Sequence, residues 1–79
     1  MTTISLDYPV KDNGVEVKEL SMRRPKVRDQ KTARKSTDND EDYESFLFAN
    51  LCEVSPDLID GMDMRDYKKL QKEYKGFLS

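Results

Sequence analysis

The stretch "SPDLIDGMDMRDYKKL" (Ser55 to Leu70) carries two helix starts in quick succession. Ser55 offers a hydroxyl to cap free N–H groups, and Pro56 stands where its missing N–H costs nothing. Gly61 breaks whatever Ser55 begins, and Asp63 caps again. A chain that starts a helix, stops it almost at once and starts another is turning a corner. Leu58, Ile59 and Met62 give the short piece an apolar patch with which to plug the end of a helical pair. The helices on either side then fold back on one another.

The preceding segment, "EDYESFLFANLCEV" (41–54), places Tyr43, Phe46, Leu47, Asn50, Leu51 and Val54 at the spacing of one helix face. Its acidic first turn suits the helix dipole. Phe48 and Cys52 form a second, flanking stripe, so this helix can touch two neighbours and belongs at the centre of the fold. The following segment, 64–78, turns Met64, Tyr67, Leu70, Tyr74, Phe77 and Leu78 inward, with Asp66 in its first turn and Lys68, Lys69, Lys72 and Lys75 elsewhere. Leu47, Leu51, Leu70 and Tyr74 are the expected helix–helix core, closed at the corner by Leu58 and Ile59.

Towards the N-terminus, "ISLDYPV" (4–10) alternates, with Ile4, Leu6, Tyr8 and Val10 on one side. That is a half-buried strand, and Pro9 marks it as an edge or a strand end. Asn13-Gly14 is the strongest short hairpin signal. In the return strand, "VEVKELSM" (15–22), the apolar phase shifts between Val17 and Leu20, which a bulge near Lys18-Glu19 explains. The expected pairs are Val10 with Val17, Tyr8 with Leu20 and Leu6 with Met22. Beyond Pro25, "PKVRDQKTARK" has good helix formers but only Val27 and Ala33 as apolar contacts, a weakly held helix. "STDNDED" reads as a polar linker. The fold class is α+β: one small domain (1–79) with an N-terminal β-hairpin (4–22), a basic helix and linker (23–40) and a helical part (41–78), its three to four α-helices packed together.

Bulk properties narrow the function. A chain of 79 residues buries only about 60–65% of its unfolded surface. With 35% hydrophobic and 38% charged residues, it gains by self-association or by docking on a partner. Cys52 has no second cysteine to pair with, which fits a reducing cytoplasm. "MTTISLDYPV" lacks the basic leader and apolar run of a signal peptide, and no window approaches a membrane span. The absence of histidine excludes His-based triads and leaves zinc short of ligands. "DNDEDYE" lacks the glycine and spacing of a calcium loop, and no glycine-rich phosphate loop occurs. The expectation is a chain without catalytic residues, metal or cofactor.

The charge is divided. Residues 1–36 carry nine Lys/Arg against five Asp/Glu, a balance of +4; residues 37–79 carry five against eleven, a balance of −6. Seven of the cations crowd into 23–35: Arg23, Arg24, Lys26, Arg28, Lys31, Arg34 and Lys35. They could track phosphates, but no aromatic is interleaved to stack on bases, and no preceding helix makes a helix-turn-helix. A protein-docking arm is the better reading, ordered by a partner or by the acidic half of another copy. Phe48 is a second candidate for the partner surface, against the plainer expectation that it packs on the hairpin.

Taken in order, "ISLDYPV", the glycine turn, "VEVKELSMRRPKVRD" and "FLFANLCEVSPDLIDGMDMRDYKKLQKEYKGFL" resemble the small tail assembly chaperones of contractile-tailed bacteriophages, over roughly residues 4–78. The shared features are the hairpin opening, the apolar helix, the "SP-x-L" corner, the "D-x-x-D-Y" start and the closing "F-L". The charged "QKTARKSTDNDED" departs from the more apolar first helix of that family. The resemblance implies a non-enzymatic protein of the bacterial host cytoplasm whose partners are the tape measure protein and the tail tube protein. It implies that the chaperone keeps its client soluble until tube protein polymerises around it, and is absent from the finished virion. It also implies that some relatives are made in a C-terminally extended form by ribosomal frameshifting. Two other readings stay open at this point: a small nucleic-acid-binding regulator using 23–35, and a structural component retained in the particle.

Overall fold

A computed structural model describes residues 1–79 as a hairpin of β1 (Thr2–Asp12) and β2 (Val15–Met22), followed by α1 (Val27–Ser36), α2 (Asp40–Cys52), α3 (Pro56–Asp60) and α4 (Met64–Leu78). The α+β arrangement is the one the sequence pattern predicts. Asn13 and Gly14 form the turn with φ of 51° and 81°, the two positive values that a tight, twist-matched hairpin turn needs. Val10 pairs with Val17, as expected.

Beyond that pair the register departs from expectation. Pairing resumes at Ser5 with Glu19, then Ile4 with Leu20 and Thr2 with Met22. The extra residues therefore lie on β1, between Ser5 and Val10, and not on β2 near Lys18-Glu19. Tyr8 does not face Leu20, and Leu6 does not face Met22. The cause is tertiary. Pro9 has no N–H to give a ladder. The N–H groups of Asp7 and Tyr8 donate instead to the two carboxylate oxygens of Asp66 on α4, at 2.8 and 2.9 Å. The strand bows outward there, leaving Leu6 buried while Tyr8 turns to solvent, 54% exposed.

α2 is central. It buries Ser45, Leu47, Phe48, Ala49, Leu51 and Cys52, which lie around most of its circumference. α1, α3 and β2 pack on it, and Phe48 meets Tyr67 and Tyr74 of α4 edge-on, with ring centroids 5.6 and 5.8 Å apart. The helix ends at Cys52, earlier than the apolar spacing predicts. Glu53 adopts the left-handed conformation (φ 57°), and the Val54 N–H returns to the Ala49 carbonyl at 3.0 Å.

The corner forms as its residues dictate. The Ser55 hydroxyl accepts from the Leu58 N–H at 3.2 Å, and the Asp63 carboxylate accepts from the Arg65 N–H at 2.9 Å. Leu58, Ile59 and Met62 are buried, and the Ser45 hydroxyl donates to Asp60 at 2.8 Å, tying α2 to α3. On α4, Leu70 is fully buried and Tyr67, Tyr74 and Phe77 are packed against the core. Met64 and Leu78 do not point inward, however; they are exposed, because the first and last turns of α4 run past the surfaces that its middle packs on. No helix is long and apolar enough to cross a membrane.

Candidate partner-binding surface

The basic segment is more firmly built into the fold than its apolar content predicts. Arg23 leaves β2 with its N–H donating to the Leu51 carbonyl at 3.0 Å, while its guanidinium forks onto the Asp29 carboxylate at 2.9 and 2.7 Å. The same carboxylate accepts from the Lys26 N–H at 2.8 Å and so closes the start of α1. The hydrogen bond from Arg23 holds the Asp29 carboxyl below the usual carboxylate range, against the opposing effect of burial. Ala33, fully buried, brings α1 close to α2. At the far end, Arg34 pairs with Asp40 at 2.8 Å and lies over the Tyr43 ring, 3.9 Å from its centroid. Polar and cation–π contacts thus hold a helix that has little apolar face, and Val27 is left 70% exposed.

These contacts sort the seven cations. Arg23 is engaged in holding the fold through Asp29. Arg34, although exposed, is occupied by Asp40 and Tyr43. Arg24, Lys26, Arg28, Lys31 and Lys35 are exposed and have no acidic group within ion-pair distance. Phe48 takes the plainer of its two expected places, in the core. At 1% exposure it is part of the core, where it meets Tyr67 and Tyr74 of α4. Its neighbour Cys52 is buried as well, and burial pushes its thiol up to about 11, which keeps it from acting as a nucleophile near neutral pH.

Between α1 and α4, two hollows open above α2, whose Leu47 and Phe48 at their base are themselves nearly covered. One hollow of about 160 Å³ is lined by Pro25, Lys26, Val27, Leu47, Tyr74 and Leu78. A second, of about 330 Å³, shares Tyr74 and Leu78 and adds Glu44, Phe48, Gln71 and Lys75. The Glu44 carboxylate is engaged: the Tyr67 hydroxyl and, at 2.7 Å, the Gln71 amide both donate to it. Burial in turn pushes the Tyr67 phenol well above its ordinary value.

Sequence reading missed Asp66. By its position it is one more acid in the first turn of a helix, yet it is fully buried and holds β1. Burial pushes its carboxyl up, but the N–H bonds from Asp7 and Tyr8, with Lys69, outweigh this and leave it below the usual range. Lys69 completes the junction, donating to the Ser5 carbonyl at 2.8 Å and pairing with Asp7 at 3.1 Å and Asp66 at 3.3 Å. The available signal was the spare carboxylate: Asp63 already caps α4, so Asp66 was free to serve another strand.

The arrangement offers surfaces for binding: a row of unpartnered cations beside an apolar groove. Neither the curated proteins nor the solved structures provide a match to the chain. A protein-family model described as "Phage tail assembly chaperone proteins, E, or 41 or 14" matches residues 3–79, essentially the whole length. With its hairpin, its capped corner and its docked helices all inside that match, the chain belongs to the phage tail assembly chaperone family.

Proposed function

We propose that this chaperone binds the tape measure protein in the host cytoplasm, through the exposed cations of α1 and the residues leading into it, and hands it on as the tail tube protein assembles around it. The observation that carries the reading is the set Arg24, Lys26, Arg28, Lys31 and Lys35, exposed in and just before α1 and without acidic partners, while Arg23 and Arg34 are paired with Asp29 and Asp40. Cations that hold nothing within the fold remain available to steer and orient an acidic partner. Such binding needs no catalytic group. It also needs no deep pocket, since a long helical client is held through repeated shallow contacts. Self-association through the acidic half of another copy draws on the same complementarity.

Co-expression with the tape measure protein of the same phage tests this. The wild-type chain should keep the client in the soluble fraction. Changing Arg24, Lys26, Arg28 and Lys31 together to Glu should abolish that, with the melting transition of the chaperone retained. Arg23 is left intact, because its loss would unseat Asp29 and confuse folding with binding. A client equally insoluble with and without the wild-type chain would remove the reading.

A further inference from the structure

The groove between α1 and α4 has a shape and a charge that specify an occupant. Its floor is α2, with Leu47 and Phe48, and its walls carry Val27 on one side and Tyr74 and Leu78 on the other. Val27 and Leu78 are 70% and 63% exposed, large apolar side chains that no other part of the chain covers. Each wall also carries a cation without an ion pair, Lys26 on the α1 side and Lys75 on α4. The one lining carboxylate, Glu44, is already engaged by Tyr67 and Gln71. The unmet charge of the groove is therefore positive.

Backbone chemistry selects the form of the occupant. The lining comes mainly from helices, whose N–H and C=O groups are paired internally, so no sheet edge is offered to an extended peptide. An occupant must satisfy its own backbone, as an α-helix does. A second copy of this chain is a poor fit. The apolar faces of α2 and α3 are spent on its core, and the exposed face of α4 is rich in lysine.

We infer that the groove receives one amphipathic helix of the client, its apolar stripe seated against Val27, Tyr74 and Leu78 and its acidic flanks beside Lys26 and Lys75. This rests on the reading of the chain as a chaperone of the tape measure protein, and adds the segment class that it grips. Free cations on α1 then serve to draw the acidic flanks in, while the groove supplies the short-range contact.

Site-specific photo-crosslinking in the co-expressed, soluble complex tests the inference. A photoreactive residue in place of Val27 or Leu78 should crosslink to the tape measure protein, in a segment with apolar residues at helical spacing and Asp or Glu beside them. The same residue in place of Lys18 or Asp57, on other faces, should give at least about tenfold less product, as expected when contact is confined to one central patch. Crosslinks at Lys18 or Asp57 as strong as those at Val27 and Leu78, or a captured segment without acidic flanks, would overturn the groove assignment and leave the chaperone reading standing. Failure of the wild-type chain to keep the client soluble would overturn both. A Val27→Glu, Leu78→Glu double variant supplies the second readout. Both positions are exposed in the free protein, so its melt should match wild type while client recovery falls about tenfold or more; undiminished recovery would overturn the inference.

Discussion

Removing the Asp66 carboxylate should separate the first strand from the helical part of the molecule. In Asp66→Ala, the N–H groups of Asp7 and Tyr8 lose acceptors at 2.8 and 2.9 Å, and Lys69 loses one of its two acidic partners. Each hydrogen bond to a charged acceptor contributes about 1.5–3 kcal/mol. Relief of the burial penalty on the carboxylate, and water reaching the opened strand, offset part of the sum, so a net loss of about 2–4 kcal/mol is expected. For a chain of this length, total stability is about 4–12 kcal/mol, so the change is a substantial fraction of the whole. With a urea slope of about 1 kcal/mol/M, the midpoint should fall by roughly 2–4 M. Asp63→Ala is the matched control on the same helix: it removes an exposed cap and should cost only about 1 kcal/mol. Amide exchange adds a local readout, since Asp7 and Tyr8 should lose protection in Asp66→Ala alone. Equal midpoints for the two variants, with the Asp7 and Tyr8 amides still protected, would refute the assignment of Asp66 as the strand's anchor.

Acid should weaken the fold in a defined window. Asp29 and Asp66 both have folded pKa values below the ordinary carboxylate value, so their contribution is complete above about pH 4 and is lost as pH falls through the depressed values. Urea midpoints between pH 7 and pH 2 should show this, and Asp29→Asn should flatten part of the fall. Cys52, with its thiol at about 11, should react with a disulfide reagent at pH 8 only as fast as the native state opens; complete labelling of the folded chain on mixing would contradict its burial.

The parts of the fold that were legible in sequence are those written in neighbouring residues. Ser55-Pro56, Gly61 and Asp63 determine the corner locally, and Asn13-Gly14 determines the turn, because caps and tight turns need particular residues within a few positions. The helix face of Leu47 and Leu51 follows from spacing alone. The β1 register was not legible, since it depends on a carboxylate 58 and 59 residues away from the N–H groups it accepts. The neighbours of Phe48 on α4 were not legible for a related reason. A helix buried around most of its circumference has no single apolar face, so its second stripe resembles a spare surface until all its neighbours are placed. For the cations the sequence showed the cluster, but not which were committed. Only the positions of Asp29, Asp40 and Tyr43 separate Arg23 and Arg34 from the remaining five.

The bond between Asp66 and the opening strand also orders events during synthesis. The turn at Asn13-Gly14 can close as soon as β2 has emerged, but the bowed segment around Asp7 and Tyr8 has no acceptor until α4 has been made. A contact across so much of the chain is non-local and forms only after its distant partner is present. The hairpin therefore waits, with Leu6 and its neighbours uncovered, while the ribosome completes the helical part. A nascent chain halted before Asp66 presents an unanchored strand edge. Such an edge is open to proteolysis or mispairing until α4 arrives to cover it.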